Sequence, residues 1–392
     1  MPTIQQGARG TIDLLQDLVV QEMMKKVALL ETTARPLTTI LNKLEKSYPT
    51  DTPEPQHTED ELLPNIDLLN GAQIAAAVNL TVDNPTFYLV GDILHIPRTG
   101  ENMRVTTATG INPVVVRRQV GTSMPAANLL DDEVIWILGA SLEEGANSRA
   151  ALNTLEVPYT AFCQIVRNSL EGVGTQLATR QLGGDFQDQF EKKLIEHKRQ
   201  LEYFFKFGRR DRQVVNGENM RTMGGFNERI RTNRYAVDGV LGEGEFEAIL
   251  EMASEFGSQR KIGLAGSRVL RAISNISRNR MVTVPHDESY GLSLRRWEHQ
   301  GGVLDFCLDR EMKGETYGGH LWIIDIDYCM MRYLRAGASG GKTSKYQGSL
   351  YCKRIEHIQA NDADRRKDEI FSELTPQFIQ ERVHTIATGI DG

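Results

Sequence analysis

The feature that most constrains this chain is one long amphipathic stretch, "FEKKLIEHKRQLEYFFKFGRRD" at residues 190–211. Its spacing predicts a helix over 185–207, with Asp185 as the N-cap and Gly208 at the end. The apolar stripe of this helix consists of Phe186, Phe190, Leu194, His197, Leu201 and Phe204 or Phe205. At 1.5 Å per residue the helix is about 33 Å long, so it can brace a whole domain while burying one side.

The other faces of this helix carry oppositely charged side chains four residues apart. These pairs are Lys192 with Glu196, Lys198 with Glu202, and Glu202 with Lys206. On an exposed helix each pair stabilises by only about 0.2–0.5 kcal/mol. We therefore expect these charges to face solvent.

The composition is that of a globular protein without a dedicated nucleic-acid or membrane role. The 392 residues are 40% hydrophobic and carry a formal net charge of −7, whereas nucleic-acid binders usually have excess Lys and Arg. No apolar run approaches the roughly 20 residues of a membrane span, and no signal-peptide pattern is present, so we expect a cytoplasmic product. The scattered cysteines indicate buried thiols and no zinc site; they are Cys163, Cys307, Cys329 and Cys352.

Charge is unevenly distributed along the chain. Residues 47–97 contain eight acids and no Lys or Arg, whereas residues 253–286 contain six Lys or Arg and one Glu before Asp287. The acidic and basic stretches can pair within one chain. Alternatively, they can meet between copies in a head-to-tail contact.

The N-terminal part alternates between helical, extended and strand patterns. Residues 11–32 carry apolar side chains at helical spacing, and this helix ends before Pro36. A short apolar turn is expected at 37–44, followed by a proline-rich acidic stretch, 47–64, that should lie extended. From 77 to 139 the period changes to two, which predicts about five short strands in a small β module.

The C-terminal part has the pattern of a second α/β unit beginning near Gly242. Before it, residues 209–230 predict a polar loop broken by glycines. The helices and strands expected in this unit lie at 245–255, 267–276, 280–285, 290–299, 301–312 and 320–334. A strand at 349–358 and a charged segment at 361–374 follow, so that the chain ends in strand and helix.

Two stretches resemble catalytic motifs. Asp325 and Asp327, at the end of an apolar strand, are placed as in phosphatases that use an aspartate nucleophile, but only 65 residues remain for that family's later Lys and acids. Two aspartates at this spacing are more simply the solvent side of an alternating strand.

The glycine-rich segment "GASGGKTS", residues 337–344, is similar to a phosphate-binding loop. It lacks the first glycine of that loop, because Ala336 stands at that position, and it therefore predicts a flexible turn. The eight histidines show no metal-binding spacing, so we expect no metal, cofactor or enzymatic activity.

Several motifs, taken in order, resemble one protein family. They are "RPLTTILNKLEK" followed by "HTEDELLP", "FKFGRRD" followed by "RTMGGFNERI", and "YGLSLRRWEHQGGVLDFCLDREM" followed by "GHLWIIDIDYCMMRYL". Together with the long helix, the acidic arm and the β module, they resemble the major capsid proteins of tailed bacteriophages, which have the Hong Kong 97-type fold. The resemblance extends over nearly the whole chain.

The resemblance implies an α+β fold divided into named regions. These are an N-terminal arm at 1–57, an E-loop region with the β module at 58–165, a P-domain with spine helix 185–207 at 166–241, an A-domain at 242–335, and a return to the P-domain at 336–392.

The function implied is that of a shell subunit. Copies would form the hexamers and pentamers of an icosahedral head in the virion, assembled in the host cytoplasm and enclosing double-stranded DNA held non-specifically on the inner face. Portal, scaffold and decoration proteins would be further partners, without a membrane. A non-viral compartment shell of the same fold is the alternative. The residues we expect at contacts between copies are Glu59, Asp60, Glu61, Arg209, Arg210 and Arg212.

Overall fold

The computed structural model describes residues 35–121, 124–179, 185–276, 282–283, 294–299, 301–336, 348–360 and 362–391. The helix predicted at 11–32 lies outside these ranges. The chain forms two compact units. The β unit is Thr58–Pro158, and the main unit combines Met1–His57 with Tyr159–Gly392. The bounds of the five regions named above stay a prediction.

The helices are short except for one. They are α1 Pro36–Lys43, α2 Gly174–Ala178, α3 Phe186–Phe207, α4 Phe226–Arg229, α5 Glu243–Ser254, α6 Ser267–Ile276 and α7 Gly314–Tyr317. The first twelve strands are β1 Ser47–Thr50, β2 Gln56–Glu59, β3 Ile66–Leu68, β4 Asn79–Leu80, β5 Asp92–Ile96, β6 Glu101–Thr107, β7 Val114–Arg117, β8 Val134–Ala140, β9 Val157–Thr160, β10 Gln164–Val173, β11 Asp211–Val215 and β12 Glu218–Thr222. The remaining strands are β13 Arg234–Val240, β14 Arg260–Ala265, β15 Val282–Thr283, β16 Leu294–His299, β17 Gly302–Leu308, β18 Leu321–Ile324, β19 Cys329–Ala336, β20 Gly348–Ser349, β21 Lys353–Ile355, β22 Arg365–Phe378 and β23 Thr385–Asp391.

The β unit contains a six-stranded sheet in the order β3-β8-β5-β6-β7-β4. Five of these strands, β4 to β8, lie within 77–140, which confirms the period-two prediction for 77–139 to within one residue, and β3 is an additional strand. Alternate residues such as Leu94, Met103 and Ile135 are fully buried on one face. Arg118 and Glu101 form a buried ion pair at 2.6 Å within the same unit.

The main unit contains two larger sheets. One has the order β13-β23-β18-β14-β17-β16-β15, and its core side chains pack with those of α5 and α6. The other has the order β1-β19-β22-β10, with β20 beside β19 and β21 beside β22. Side chains of α1 and α3 share a core with β10, β19 and β22. The observed α6 has the bounds that the sequence predicts.

The long helix α3 confirms the predicted helix to within one residue. Its buried side chains include Phe190, Leu201 and Phe205 from the predicted stripe. His197 is also buried, with Nε2 2.7 Å from Ser372 Oγ on β22 and Nδ1 3.0 Å from Asn168 Nδ2 on β10. Burial and the nearby Lys198 charge lower the pKa of His197 to about 4, so it is neutral at physiological pH.

The prediction that the charges of α3 face solvent is wrong for Glu202 and Lys206. Both are buried, and Lys206 Nζ lies 2.9 Å from Glu202 Oε1 and contacts Asp309 Oδ2 just after β17. Burial by itself would lower the pKa of Lys206, but the two carboxylates raise it above its usual value, so the ammonium stays charged. The spacing within the helix does not reveal that Asp309 completes this cluster.

Glu202 also determines where α1 begins. Its two carboxylate oxygens accept hydrogen bonds from the backbone N–H groups of Leu37 and Thr38, at 3.0 and 2.8 Å. These groups lie in the first turn of α1, where N–H groups lack partners within the helix. We predicted an apolar turn here, and the structure has a helix because Pro36 stands at its first position and Glu202 caps it.

Two further predictions are corrected. Residues 209–230 are not a loop, since β11 and β12 form a hairpin around Asn216 and Gly217. Both turn residues have positive φ, 53° and 82°, as is typical of Asn-Gly in a tight hairpin turn.

The charged segment at 361–374 does not end the chain in a helix either, because β22 passes through it and pairs with β10 over ten residues.

The charges of β22 are partly buried, which explains how a charged segment can lie within a sheet. Asp368 is fully buried and accepts hydrogen bonds from Arg354 at 2.8 Å, from Arg366 at 2.9 Å, and from the His357 N–H at 3.2 Å. Burial by itself would raise the pKa of Asp368, but the bonds from Arg366 and Arg354 lower it to about 2. The carboxylate is therefore ionised at neutral pH.

Replacing Lys206 by Met should destabilise the chain by roughly 3–5 kcal/mol, because Glu202 and Asp309 would stay buried without their counter-charge. The free energy of unfolding in urea would measure this. Lys192→Met, on an exposed position of the same helix, is the matched control and should change stability by less than about 0.5 kcal/mol. Equal effects of the two substitutions would contradict a specific role of the cluster.

Replacing Asp368 by Asn should remove a pH-dependent part of the stability. The folded pKa of about 2 lies below the ordinary value of about 3.9. The carboxylate therefore stabilises the fold fully above about pH 5, and this contribution is lost as the pH falls toward 2. Between about pH 7 and pH 2.5, the free energy of unfolding should fall by about 1–2 kcal/mol more for the unmodified chain than for Asp368→Asn. Asp362→Asn, an exposed control, should change the free energy of unfolding at pH 7 by less than about 0.5 kcal/mol. Identical pH dependence of the unmodified chain and Asp368→Asn would disprove the assignment.

Candidate assembly surfaces

The three acids predicted at contacts between copies belong to the β unit. Glu59 ends β2 and is half-buried, whereas Asp60 and Glu61 lie in the following loop and are exposed. The Glu61 N–H donates to Asp60 Oδ1 at 2.9 Å. Next in the chain, Leu62 is 94% exposed. This loop therefore presents two carboxylates and one apolar side chain to the surroundings.

Arg210 belongs to the main unit and is held by contacts within its own chain. Its Nη1 donates to the Thr160 carbonyl at 2.6 Å, and its guanidinium lies 4.8 Å from the centre of the Tyr159 ring. The Arg229 guanidinium lies 4.4 Å from the same ring. A guanidinium this close to a ring centre is attracted by the ring, so the Tyr159 contact helps to hold Arg210 in place.

Arg212 is paired with one of the acids from the acidic stretch. Its Nη1 lies 3.3 Å from Glu54 Oε1, and Arg221 reaches the same oxygen at 3.9 Å. Glu54 is therefore paired within its own chain, but with arginines that lie outside the basic stretch 253–286, so neither of the two alternatives is tested by this contact. A role of the six predicted residues in contacts between copies stays a prediction.

Arg209 has a different environment from its two neighbours. It lines an open cleft of about 420 Å³ in the main unit, together with Arg231, Arg234, Asn227, Glu228 and Phe207. All three arginines are exposed, and Phe207 is half-buried. Arg231 and Arg234 were not among the residues predicted from the sequence, because they follow Arg209 by more than twenty positions and approach it through the fold of α4.

A second surface, on the β unit, is apolar. In the antiparallel pair of β3 and β8, Ile66 lies opposite Trp136 and Leu68 opposite Val134. These side chains and Leu138 are exposed, with Trp136 at 42% and Leu138 at 57%, whereas Ile135 between them is fully buried. The sheet is thus apolar on both faces here. The run "VIWIL" in β8, which lacks polar residues at alternate positions, is the sequence signal for this surface.

The two aspartates considered as phosphatase residues do not share one face. Asp325 is fully buried, and its oxygens accept hydrogen bonds from Ser258 N–H at 2.6 Å, Ser258 Oγ at 2.9 Å and Asp327 N–H at 3.1 Å. Asp327 is 70% exposed and lies 3.3 Å from Lys46. The prediction that both face solvent is therefore wrong for Asp325, because its carboxylate caps the turn that follows β18.

Other candidate sites have no support in the described ranges. The glycine-rich segment 337–344 lies outside them. Within them, no three His, Cys, Asp or Glu side chains come together as a metal ion would require. None of the helices described there combines the length and hydropathy that would let it span a bilayer.

Comparison with known sequences identifies a family. The model of the SU10 major capsid protein family matches residues 5–391. One curated relative, a "Major capsid protein" of Pseudomonas phage PaMx41, is 29% identical over 168 residues, which are 42% of this chain and 39% of that protein. The match thus spans well under half of the relative's length.

Solved structures confirm the fold. The capsid of the empty GTA particle matches with a TM-score of 0.51 and 7% identity, covering 97% of this chain and 98% of that one. The capsid of cyanophage A-1(L) matches with a TM-score of 0.51 and 8% identity, covering 96% and 98%. The predicted α+β fold of the Hong Kong 97 type is therefore confirmed. With residues 5–391 matched by its family model, the chain belongs to the SU10 major capsid protein family.

Proposed function

We propose that copies of this chain assemble into hexamers and pentamers, which close into an icosahedral phage head shell around double-stranded DNA. Membership of a major capsid protein family supports self-association. Assembly would take place in the host cytoplasm, with portal and scaffold proteins, and with decoration proteins where they are present. The role is structural rather than catalytic, since the oxygens of Asp325 are occupied by groups of its own chain.

The observation that carries this proposal is the apolar outer face of β3 and β8. The exposed side chains there are neighbours across the strands, so they form one patch rather than scattered residues. Soluble monomers rarely expose a large contiguous apolar patch, whereas association surfaces commonly do. Burial of such a patch in a shell contributes about 25 cal/mol for each Å² of apolar area removed from water.

The net charge determines how the DNA would be held. With a net charge of −7, the subunit as a whole repels a polyanion. Enclosure would therefore depend on the closed shell and on local basic surfaces, without sequence-specific contacts. This agrees with a container that accepts any sequence.

Electron microscopy of the purified chain should show closed shells built from six-fold and five-fold clusters. Replacing Trp136 by Asp should lower the yield of shells by at least about tenfold, because a charge would have to be buried in the association surface. Ile111→Asp, at a 70% exposed residue between β6 and β7, is the matched control. It should keep the yield within about twofold.

Two results would count against these statements. If the unmodified chain stays monomeric at all salt and protein concentrations, the shell proposal is wrong. If shells form but Trp136→Asp leaves their yield unchanged, the apolar face is not an association surface. Circular dichroism of each variant would establish that folding is intact.

A further inference from the structure

The arginine cleft, formed by Phe207, Arg209, Arg231 and Arg234 with Asn227 and Glu228, concentrates positive charge at an open surface. Arg234 donates from Nε to the Ile230 carbonyl at 2.7 Å and from Nη2 to Asn227 Oδ1 at 3.1 Å. Arg231 donates from Nε to the Glu228 carbonyl at 3.4 Å. These acceptors are neutral, so the bonds position the guanidinium groups without cancelling their charge.

The carboxylate that lines the cleft is already engaged. Glu228 Oε2 accepts the backbone N–H of Arg210 at 2.6 Å. Among the residues that line the cleft, three cations therefore face one carboxylate. Such a site favours an incoming group that carries carboxylates, because a guanidinium group can donate two parallel hydrogen bonds to the two oxygens of one carboxylate.

One residue that lines the cleft, Phe207, is apolar. The Phe207 ring packs against Tyr317 at 4.4 Å and against Trp322 at 5.3 Å, which fixes its position. An occupant should therefore carry an apolar side chain next to its acidic groups. A bare phosphate chain would meet the cations, but it would leave the ring uncovered.

The loop after β2 has the complementary chemistry. Asp60 and Glu61 are exposed, and Leu62 directly follows them with 94% of its surface accessible. The loop belongs to the β unit and the cleft to the main unit, so every copy of the chain carries one of each. Two different surfaces that recognise each other make a head-to-tail contact, which closes into rings when the rotation between copies allows it.

We infer that the arginine cleft of one copy binds the Asp60–Leu62 segment of a neighbouring copy. The two carboxylates pair with Arg209 and Arg231, and the Leu62 side chain covers Phe207. This inference rests on the proposed shell function and specifies one of its contacts. It includes Arg209 from the sequence prediction. It adds Arg231 in place of Arg210 and Arg212, which are held within their own chain.

The contact would select partners more than it would drive assembly. Charge pairs at an exposed rim contribute little free energy individually, but they steer the encounter and penalise wrong registers. Because such pairs are screened by salt, assembly through this contact should weaken as ionic strength rises.

Two charge-reversed variants test the contact. Asp60→Lys with Glu61→Lys reverses the loop, and Arg209→Glu with Arg231→Glu reverses the cleft. Each should lower the yield of shells at low salt by at least about tenfold, because attraction becomes repulsion at every copy. Arg234 is left unchanged because it supports the backbone at Ile230 and Asn227.

A chain that combines all four substitutions should recover shell yield to within about threefold of the unmodified protein, since the attraction is restored with opposite sign. A 1:1 mixture of the loop variant and the cleft variant should recover six-membered rings, because the two variants can alternate around a ring with an even number of copies. A five-membered ring cannot alternate, so the mixture should form fewer closed shells than the combined chain. Glu143→Lys with Glu144→Lys changes the same charge at exposed positions of the β unit and should leave the yield unchanged. Thermal unfolding of every variant monitors folding.

The outcomes separate this inference from the shell proposal. Shell formation by the unmodified chain is required first, and its failure would refute the proposed function itself. If shells form, unchanged yield in either reversed variant, or no recovery in the combined chain, overturns the inference. Six-membered rings that form in the combined chain but not in the mixture would contradict a head-to-tail contact between copies. Loss of packaged nucleic acid with normal shell yield in the cleft variant would assign the cleft to phosphate groups instead.

Discussion

The buried ammonium of Lys206 is the interaction on which the main unit depends. With Glu202 and Asp309 it joins three parts of the chain, namely α3, the residues after β17 and, through Glu202, the first turn of α1. Burying these charges costs free energy, and their attraction offsets that cost only if the geometry is good and the remaining lone pairs are satisfied. The cluster therefore adds little net free energy of folding. Its main effect is to specify the position of α1 against α3.

The sequence predicted the elements that depend on local periodicity. The helix α3, the helix α6 and the five strands within 77–140 follow from spacings of three to four and of two, which side-chain direction imposes on any helix or strand. The burial of Glu202 and Lys206 could not be predicted in this way, because an i,i+4 pair has the same spacing whether it is buried or exposed. The buried partner is Asp309, which is distant in sequence and directly follows β17, a strand that pairs with β14.

Long-range pairing also explains the errors near the C-terminus and in the candidate sites. In the sequence, the charged residues of β22 are typical of an exposed helix. In the structure, β22 lies between β10 and β19, and Arg354 and Arg366 neutralise Asp368. The hairpin of β11 and β12 had a local signal in Asn216-Gly217, which the polar composition around it concealed. In the predicted contact set, the sequence could not show that Arg210 and Arg212 are engaged within their own chain. A role of the six residues in contacts between copies stays a prediction.

In the proposed shell, the two candidate surfaces would contribute to association in different ways. The apolar face of β3 and β8 would supply a driving force that is roughly proportional to area and has little directional preference, so by itself it would permit many registers between copies. The arginine cleft and the acidic loop would supply little net free energy but strong directionality, because guanidinium and carboxylate groups must meet edge to edge. A shell needs both properties, since copies must associate firmly and yet reject wrong registers during growth. Weak charged contacts at the rim allow a misplaced copy to leave before apolar burial makes its position permanent.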